Sequence, residues 1–187
     1  KEIVAVCEKS QVPLIGPLTV YPETGYPASR HTFYLLSGVE QQARVLIDYS
    51  RKGLGSHSNI AIVYSHDSVS SEVVEAIKQY CTRSGWPAVT AVDGRSEGFG
   101  SAGLAQKLKS SGGNLVLLLA SGREAELFAR SAEQTGWAPV LLIPGSLASN
   151  NLFELGGALQ NRLFLALPSL PSDQTQAGTS EYRVLAD

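Results

Sequence analysis

Four groupings of residues in this 187-residue chain have the types that could do chemistry. Ser65-His66-Asp67 contains the three residue types of a hydrolytic triad. A working triad needs nucleophile, base and orienting acid to converge from separate segments, which three consecutive residues cannot do. No strand-turn-helix G-x-S-x-G elbow accompanies them, and His31, His57 and His66 are the only histidines. Hydrolysis is therefore not expected, and His66 with Asp67 reads as a solvated loop pair at a strand end. Gly98-Phe99-Gly100-Ser101-Ala102-Gly103 fits the phosphate-cradling pattern G-x-G-x-x-G. That fingerprint requires its first glycine directly after a strand and an acid about 20 residues later, at the end of the next strand. Here Asp93 to Glu97 intervene and the next strand ends in Ala120-Ser121. The motif reads as a flexible loop leading into a helix.

The remaining groupings are equally bland. Cys7 and Cys81 are the only cysteines, each among apolar neighbours in a helix-like segment, as expected of unpaired buried thiols. Neither has the short-spaced Cys or His neighbour that zinc ligation needs, so no metal site is expected. Glu72 with Glu75, and Glu124 with Glu126 and Glu133, fall on helix-like segments and read as solvated faces. No catalytic residue and no cofactor is implied.

What is left is a pattern of elements that could hold a ligand without reacting with it. Three apolar runs, Asn59 to Tyr64, Leu115 to Ala120 and Pro139 to Ile143, each end in a loop of small or uncharged residues. The loops are Ser65-His66-Asp67-Ser68-Val69-Ser70, Ser121-Gly122 and Pro144-Gly145-Ser146. Open α/β folds bind ligands beyond the carboxyl ends of their strands.

Around these runs, helical stripes alternate with strand-like segments. Val39, Ala43, Leu46 and Ile47 form one stripe; Val73, Val74, Ile77, Tyr80 and Cys81 form a second; Leu104 with Leu108, and Leu127 with Phe128 and Ala132, mark two more. Strands are expected at Ile60 to Tyr64, Ala88 to Val92, Leu115 to Leu119, Val140 to Ile143 and Arg162 to Ala166. Leu115 to Leu119 is apolar throughout, as in a central strand covered on both faces. Gly85-Trp86-Pro87 and Gly136-Trp137-Ala138-Pro139 each place glycine where a left-handed helix cap is wanted, and both tryptophans are expected to pack over the sheet edge. Before this block come a helix from Lys1 to Ser10, a short buried strand from Val12 to Ile15, a Pro- and Gly-rich loop from Gly16 to Arg30, and an extended piece from Thr32 to Leu36. The expected fold is α/β, a doubly wound parallel sheet with helices on both faces.

Bulk properties exclude other classes. With 43% hydrophobic and 17% charged residues the chain is too apolar for disorder. Its net charge of −2, with 15 basic residues spread thinly, lacks the footprint of a nucleic-acid binder. No apolar run approaches the roughly 20 residues that span a bilayer. Met is absent and Lys1 falls inside an amphipathic segment, so the chain is expected to be a piece of a longer polypeptide.

Taken in order, Val12-Pro13-Leu14-Ile15-Gly16-Pro17, Thr32-Phe33-Tyr34, Glu40-Gln41-Gln42-Ala43-Arg44 and Ile60-Ala61-Ile62-Val63-Tyr64 resemble a type I periplasmic binding protein of the branched-chain amino acid group. The likeness continues through Gly100 to Lys109, Leu115 to Gly136 and Leu163 to Pro168. Such proteins have two lobes that close on a small molecule. The resemblance implies that residues 1–35 end the first lobe, 36–166 form the second, and 167–187 cross back toward the first. It implies a periplasmic or otherwise extracytoplasmic, non-enzymatic solute-binding protein that delivers a small molecule to the membrane permease of an ABC transporter. The alternative it leaves open is a sensory ligand-binding domain of a signalling or multidomain protein.

Carried over by position, the family's site corresponds to Leu18, Thr19 and Val20 in the first lobe, with Thr19 as the best candidate for a ligand carboxylate. In the second lobe it corresponds to Val69, to Ala120 or Ser121, and to Gly145. The chain departs from the family here: aromatic residues are replaced by Val69 and Ala120, and the acid that pairs with a ligand ammonium is replaced by Gly145. A buried ammonium without a carboxylate would be strongly penalised. The expected ligand therefore lacks an amine, as a small organic acid does.

Overall fold

The computed structural model describes residues 2–17, 19–22, 29–54, 59–66, 68–86, 88–155, 157–159 and 161–168. The chain divides into two units, Lys1–Gly38 with Leu167–Asp187, and Val39–Ala166.

In the first unit, helix α1 (Glu2–Ser10) precedes strands β1 (Leu14–Ile15) and β2 (Thr32–Phe33), which pair in parallel. The Glu8 carboxylate fastens the helix to the second strand by accepting the backbone N–H groups of Arg30 at 3.1 Å and His31 at 2.8 Å. Two expectations are corrected here. The segment Val12 to Ile15 is not a buried strand: pairing is confined to Leu14–Ile15, and Ile15 is 69% exposed. Extended pairing after Thr32 likewise stops at Phe33. The reason is that among the described residues of this unit no layer covers the outer face, so Ile15, Phe33 and Leu35 all stand exposed.

The second unit has the alternating helices and parallel strands expected from the sequence pattern. It runs through α2 (Val39–Gly53), β3 (Asn59–Tyr64), α3 (Ser68–Arg83), β4 (Ala88–Asp93), α4 (Gly94–Glu97), α5 (Ala102–Ser110), β5 (Leu115–Leu119), α6 (Gly122–Gln134), β6 (Val140–Pro144) and β7 (Leu163–Ala166), with three short 3-10 turns between the last two strands. The five strands β3 to β7 are parallel, in the order β4-β3-β5-β6-β7. β5 is the middle strand and every one of its residues is buried, as its unbroken apolar sequence requires.

Alternation of side chains along the strands supplies both faces of the sheet. Ala61, Val63, Val116, Leu118, Leu141 and Ile143 join Leu104, Leu108, Phe128 and Ala132 of α5 and α6 in one core cluster. The opposite face meets α2, which packs on β6 and β7, and α3, which packs on β3 and β4. Gly136 takes φ 62° at the end of α6, a conformation that costs glycine little. The chain then turns back under the helix, where the Trp137 N–H donates to the Ala132 carbonyl at 2.9 Å. This corrects the expected position of Trp137. It lies in the core rather than over the sheet edge, edge-on to Phe128 with ring centroids 6.1 Å apart.

Candidate functional site

The strand order fixes where the sheet can hold a ligand. The chain leaves β3 for α3 on one face and leaves β5 for α6 on the other. The two adjacent strands therefore send their connections apart, and this switch in strand order is where open α/β sheets hold ligands, beyond the carboxyl ends of the strands.

One carboxylate links the ends of the two strands. Ser65 follows β3, is 6% exposed, and extends the ladder by donating its N–H to the Leu119 carbonyl at 3.2 Å. Its hydroxyl donates to Glu124 Oε2 at 2.8 Å. Ser121 caps α6 in a capping box with Glu124: the helical N–H of Glu124 donates to Ser121 Oγ, and the N–H and hydroxyl of Ser121 donate to Glu124 Oε2 at 2.9 and 2.7 Å. On the far side, Arg95 Nε approaches Glu124 Oε1 at 3.5 Å. Burial pushes the Glu124 carboxyl upward, but the hydrogen bonds from Ser121, Ser65 and Arg95 together outweigh it and leave it below the ordinary carboxylate range. Glu124 is thus not the solvated helix residue expected of it, because the carboxyl end of β3 brings Ser65 against it from 59 residues away.

A second clamp holds the loop after β6. Gln42, 2% exposed on the first turns of α2, donates from Nε2 to Ser146 Oγ at 2.8 Å and accepts the Ser146 N–H on Oε1 at 3.1 Å. Ser146 lies in the 3-10 turn Gly145–Leu147, so this pair sets the path of Gly145. The loop beyond presses on the start of α6. A Cβ on Gly122 would lie 2.4 Å from the Ser149 Cβ and 2.7 Å from its backbone nitrogen.

The candidate residues divide accordingly. Ala120, buried, and Ser121, exposed, lie together at the end of β5, and Gly145, half-buried, lies at the end of β6. Val69 falls in the first turn of α3, after β3. Thr19, exposed, and Val20, half-buried, belong to the other unit, where Thr19 Oγ1 accepts the Tyr21 N–H at 3.1 Å. Leu18 and Asp67 lie outside the described residues.

The chemical look-alikes resolve into structure. The Ser65 hydroxyl donates to Glu124, and exposed His66 lies 3.3 Å from Ser71 Oγ. The G-x-G-x-x-G segment is a loop leading into a helix, as expected, and it is held by packing and a cap. Phe99, 6% exposed, packs so closely under Gly94 that a Cβ there would lie 2.4 Å from its ring, and Ser101 caps α5 by accepting the Gly103 N–H. Cys81 is fully buried, which pushes its thiol to about 11, and Cys7 is half-buried. Among the described residues no group of three His, Cys, Asp or Glu could hold a metal ion, and no helix is long and apolar enough to cross a membrane.

Sequence reasoning gave no site role to Gln42 or Arg95, read Glu124 as a solvated helix acid, and named Ser65 only as part of a loop at a strand end. Two local signals were present: Ser121-Gly122-Arg123-Glu124 is a capping-box sequence ahead of an apolar stripe, and Gln42 is a polar residue on the buried stripe of α2.

The protein family described as "Periplasmic binding protein" matches residues 1–184. No curated protein sequence matches the chain. Among solved structures, a leucine-binding protein from Thermotoga maritima is similar at TM-score 0.64 and 18% identity, over 83% of this chain and 44% of that one. An ABC transporter substrate-binding protein from Desulfitobacterium hafniense, in complex with Leu, is similar at TM-score 0.67 and 17% identity, over 98% and 53%. A solute-binding protein of an ABC transporter from R. palustris, in complex with benzoate, is similar at TM-score 0.62 and 18% identity, over 83% and 43%. The chain therefore spans about half the length of these proteins.

Proposed function

Because the chain belongs to the periplasmic binding protein family, we propose that the polypeptide carrying it captures a small molecule outside the cytoplasm and hands it to the permease of an ABC transporter. It works by closure of two lobes and without covalent chemistry. The observation that supports this reading is the switch in strand order between β3 and β5, with Ala120 and Ser121 at the end of β5 and Gly145 at the end of the adjacent β6. Val69 contributes from the start of α3, and Leu18, Thr19 and Val20 contribute from the first lobe, of which residues 1–35 are the end. Residues 36–166 form the second lobe and 167–187 the return crossing.

The ligand of this reading lacks an amine. Gly145 offers no carboxylate, and Glu124 is already engaged by Ser65, Ser121 and Arg95. A ligand ammonium would have to break that network or remain unpaired, and either course is costly. The fold accommodates such ligands, since the similar R. palustris protein is in complex with benzoate.

A thermal-shift screen of the intact polypeptide against amino acids, amides, aliphatic acids and aromatic acids tests both parts. Ligand at about 100 times its dissociation constant stabilises by roughly 2.7 kcal/mol. Stabilisation confined to compounds without an amine is expected. Stabilisation by leucine would overturn the amine-free assignment, and no stabilisation by any compound would overturn capture of small molecules of these classes.

A further inference from the structure

We propose that Arg95 is the anion-recognising residue of the second lobe, receiving the carboxylate of the ligand on its guanidinium fork. This deepens the solute-binding reading and rests on it.

Arg95 lies just past the carboxyl end of β4, on the same edge of the sheet as Ser65, Ser121 and Gly145. Its backbone is fixed from three sides. Asp93 Oδ1 accepts the Arg95 N–H at 2.9 Å, the Ser96 hydroxyl donates to the Asp93 carbonyl at 2.9 Å, and the ring of Phe99 is seated where a side chain on Gly94 would stand. Its side chain is tethered but not used up. The Nε–H meets Glu124 Oε1 at 3.5 Å, and the terminal amino groups donate to no described residue, while the side chain keeps 58% of its exposure.

A guanidinium has five donors in a planar fork that matches a carboxylate bidentately. Held at Nε by a carboxylate on one side, Arg95 keeps its two terminal nitrogens available, and both bonds of a bidentate pair can form at the cost of little further ordering. Glu124 stays ionised through its bonds to Ser65 and Ser121 and holds Arg95 at the carboxyl ends of the strands. The same carboxylate repels a ligand whose charge is itself an anion aimed at Glu124 instead of at Arg95, so orientation is specified as well as charge.

The test is a titration of the intact polypeptide and of Arg95→Gln with benzoate and a panel of aliphatic and aromatic carboxylates, each beside its primary amide. Expected is a carboxylate that binds the wild type and is weakened about tenfold or more in Arg95→Gln, the loss of one charge-assisted pair. Its amide should bind both proteins equally weakly, and the melting temperature without ligand should fall only slightly, because the Arg95 contact with Glu124 is largely exposed. Arg95→Lys should restore part of the affinity, because it returns the charge without the fork. Equal carboxylate binding by wild type and Arg95→Gln would overturn the inference. So would binding confined to the amides, which would leave the solute-binding reading in place. Absence of binding by every carboxylate and amide would overturn both.

Discussion

Removing the Ser65 hydroxyl should destabilise the second unit in a way that depends on Glu124 and on pH. The bond is 2.8 Å long, its donor is 6% exposed, and its acceptor is a carboxylate. Hydrogen bonds to charged groups contribute roughly 1.5–3 kcal/mol, and a buried site offers no water to replace the lost donor. Ser65→Ala should therefore cost about 2 kcal/mol at neutral pH. Glu124→Gln should cost at least as much, because Ser121 and Arg95 share the same carboxylate. The double variant should fall short of the sum by about 1–2 kcal/mol, as residues in one network do. The assay is urea unfolding followed by the fluorescence of Trp86 and Trp137, both buried in this unit. The sign with pH follows from Glu124, whose folded value lies below the ordinary 4.5. A depressed carboxyl stabilises the fold above its unfolded value, and that stability is lost as pH falls through the folded one. The cost of Ser65→Ala should shrink over that same interval, toward the value of a neutral hydrogen bond. Additivity of the two substitutions within about 0.5 kcal/mol at pH 7 would refute the coupling.

Two further outcomes follow from close packing. Gly122→Ala should destabilise by about 1–3 kcal/mol in thermal unfolding, since its new methyl meets the Ser149 backbone, which a rotamer change cannot relieve; an unchanged melting temperature would show that the start of α6 is free to shift. Iodoacetamide applied to the native chain near neutral pH should label Cys7 and spare Cys81, whose burial and thiol pKa of about 11 leave almost no accessible thiolate; rapid labelling of Cys81 would refute its placement.

The second unit was legible because each of its elements announces itself locally. Leu115 to Leu119 reads as a doubly covered strand from its composition, and it is the middle strand of five. Gly85 and Gly136 mark helix ends, and both take positive φ there. The residues that organise the strand ends were harder to see, because their partners are remote in sequence. Glu124 looks like any exposed helix acid until β3 delivers Ser65 to it, and Gln42 acquires its partner Ser146 from 104 residues away. Ser121 shows the intermediate case. Its capping role was written in the spacing to Glu124, whereas its place beside the switch point depends on the order of the strands. The first unit fails differently. Val12 to Ile15 has the composition of a buried strand, but burial needs a second layer that composition cannot supply, and Ile15 stays exposed among the described residues.

The clamp between Gln42 and Ser146 also bears on how the second unit could be handled as a piece. The chain enters this unit at Val39, three residues before Gln42, and leaves it at Ala166, which pairs in register with Pro144, two residues before Ser146. Entry and exit are thereby brought to one corner of the same sheet. A unit whose ends lie at one corner of its sheet should tolerate insertion into a host loop, or rejoining end to end and reopening elsewhere, without rethreading that sheet. The corner that makes this possible is also the one that carries Gly145, so a graft cut too close to Val39 would free Gln42 and with it the loop beyond β6.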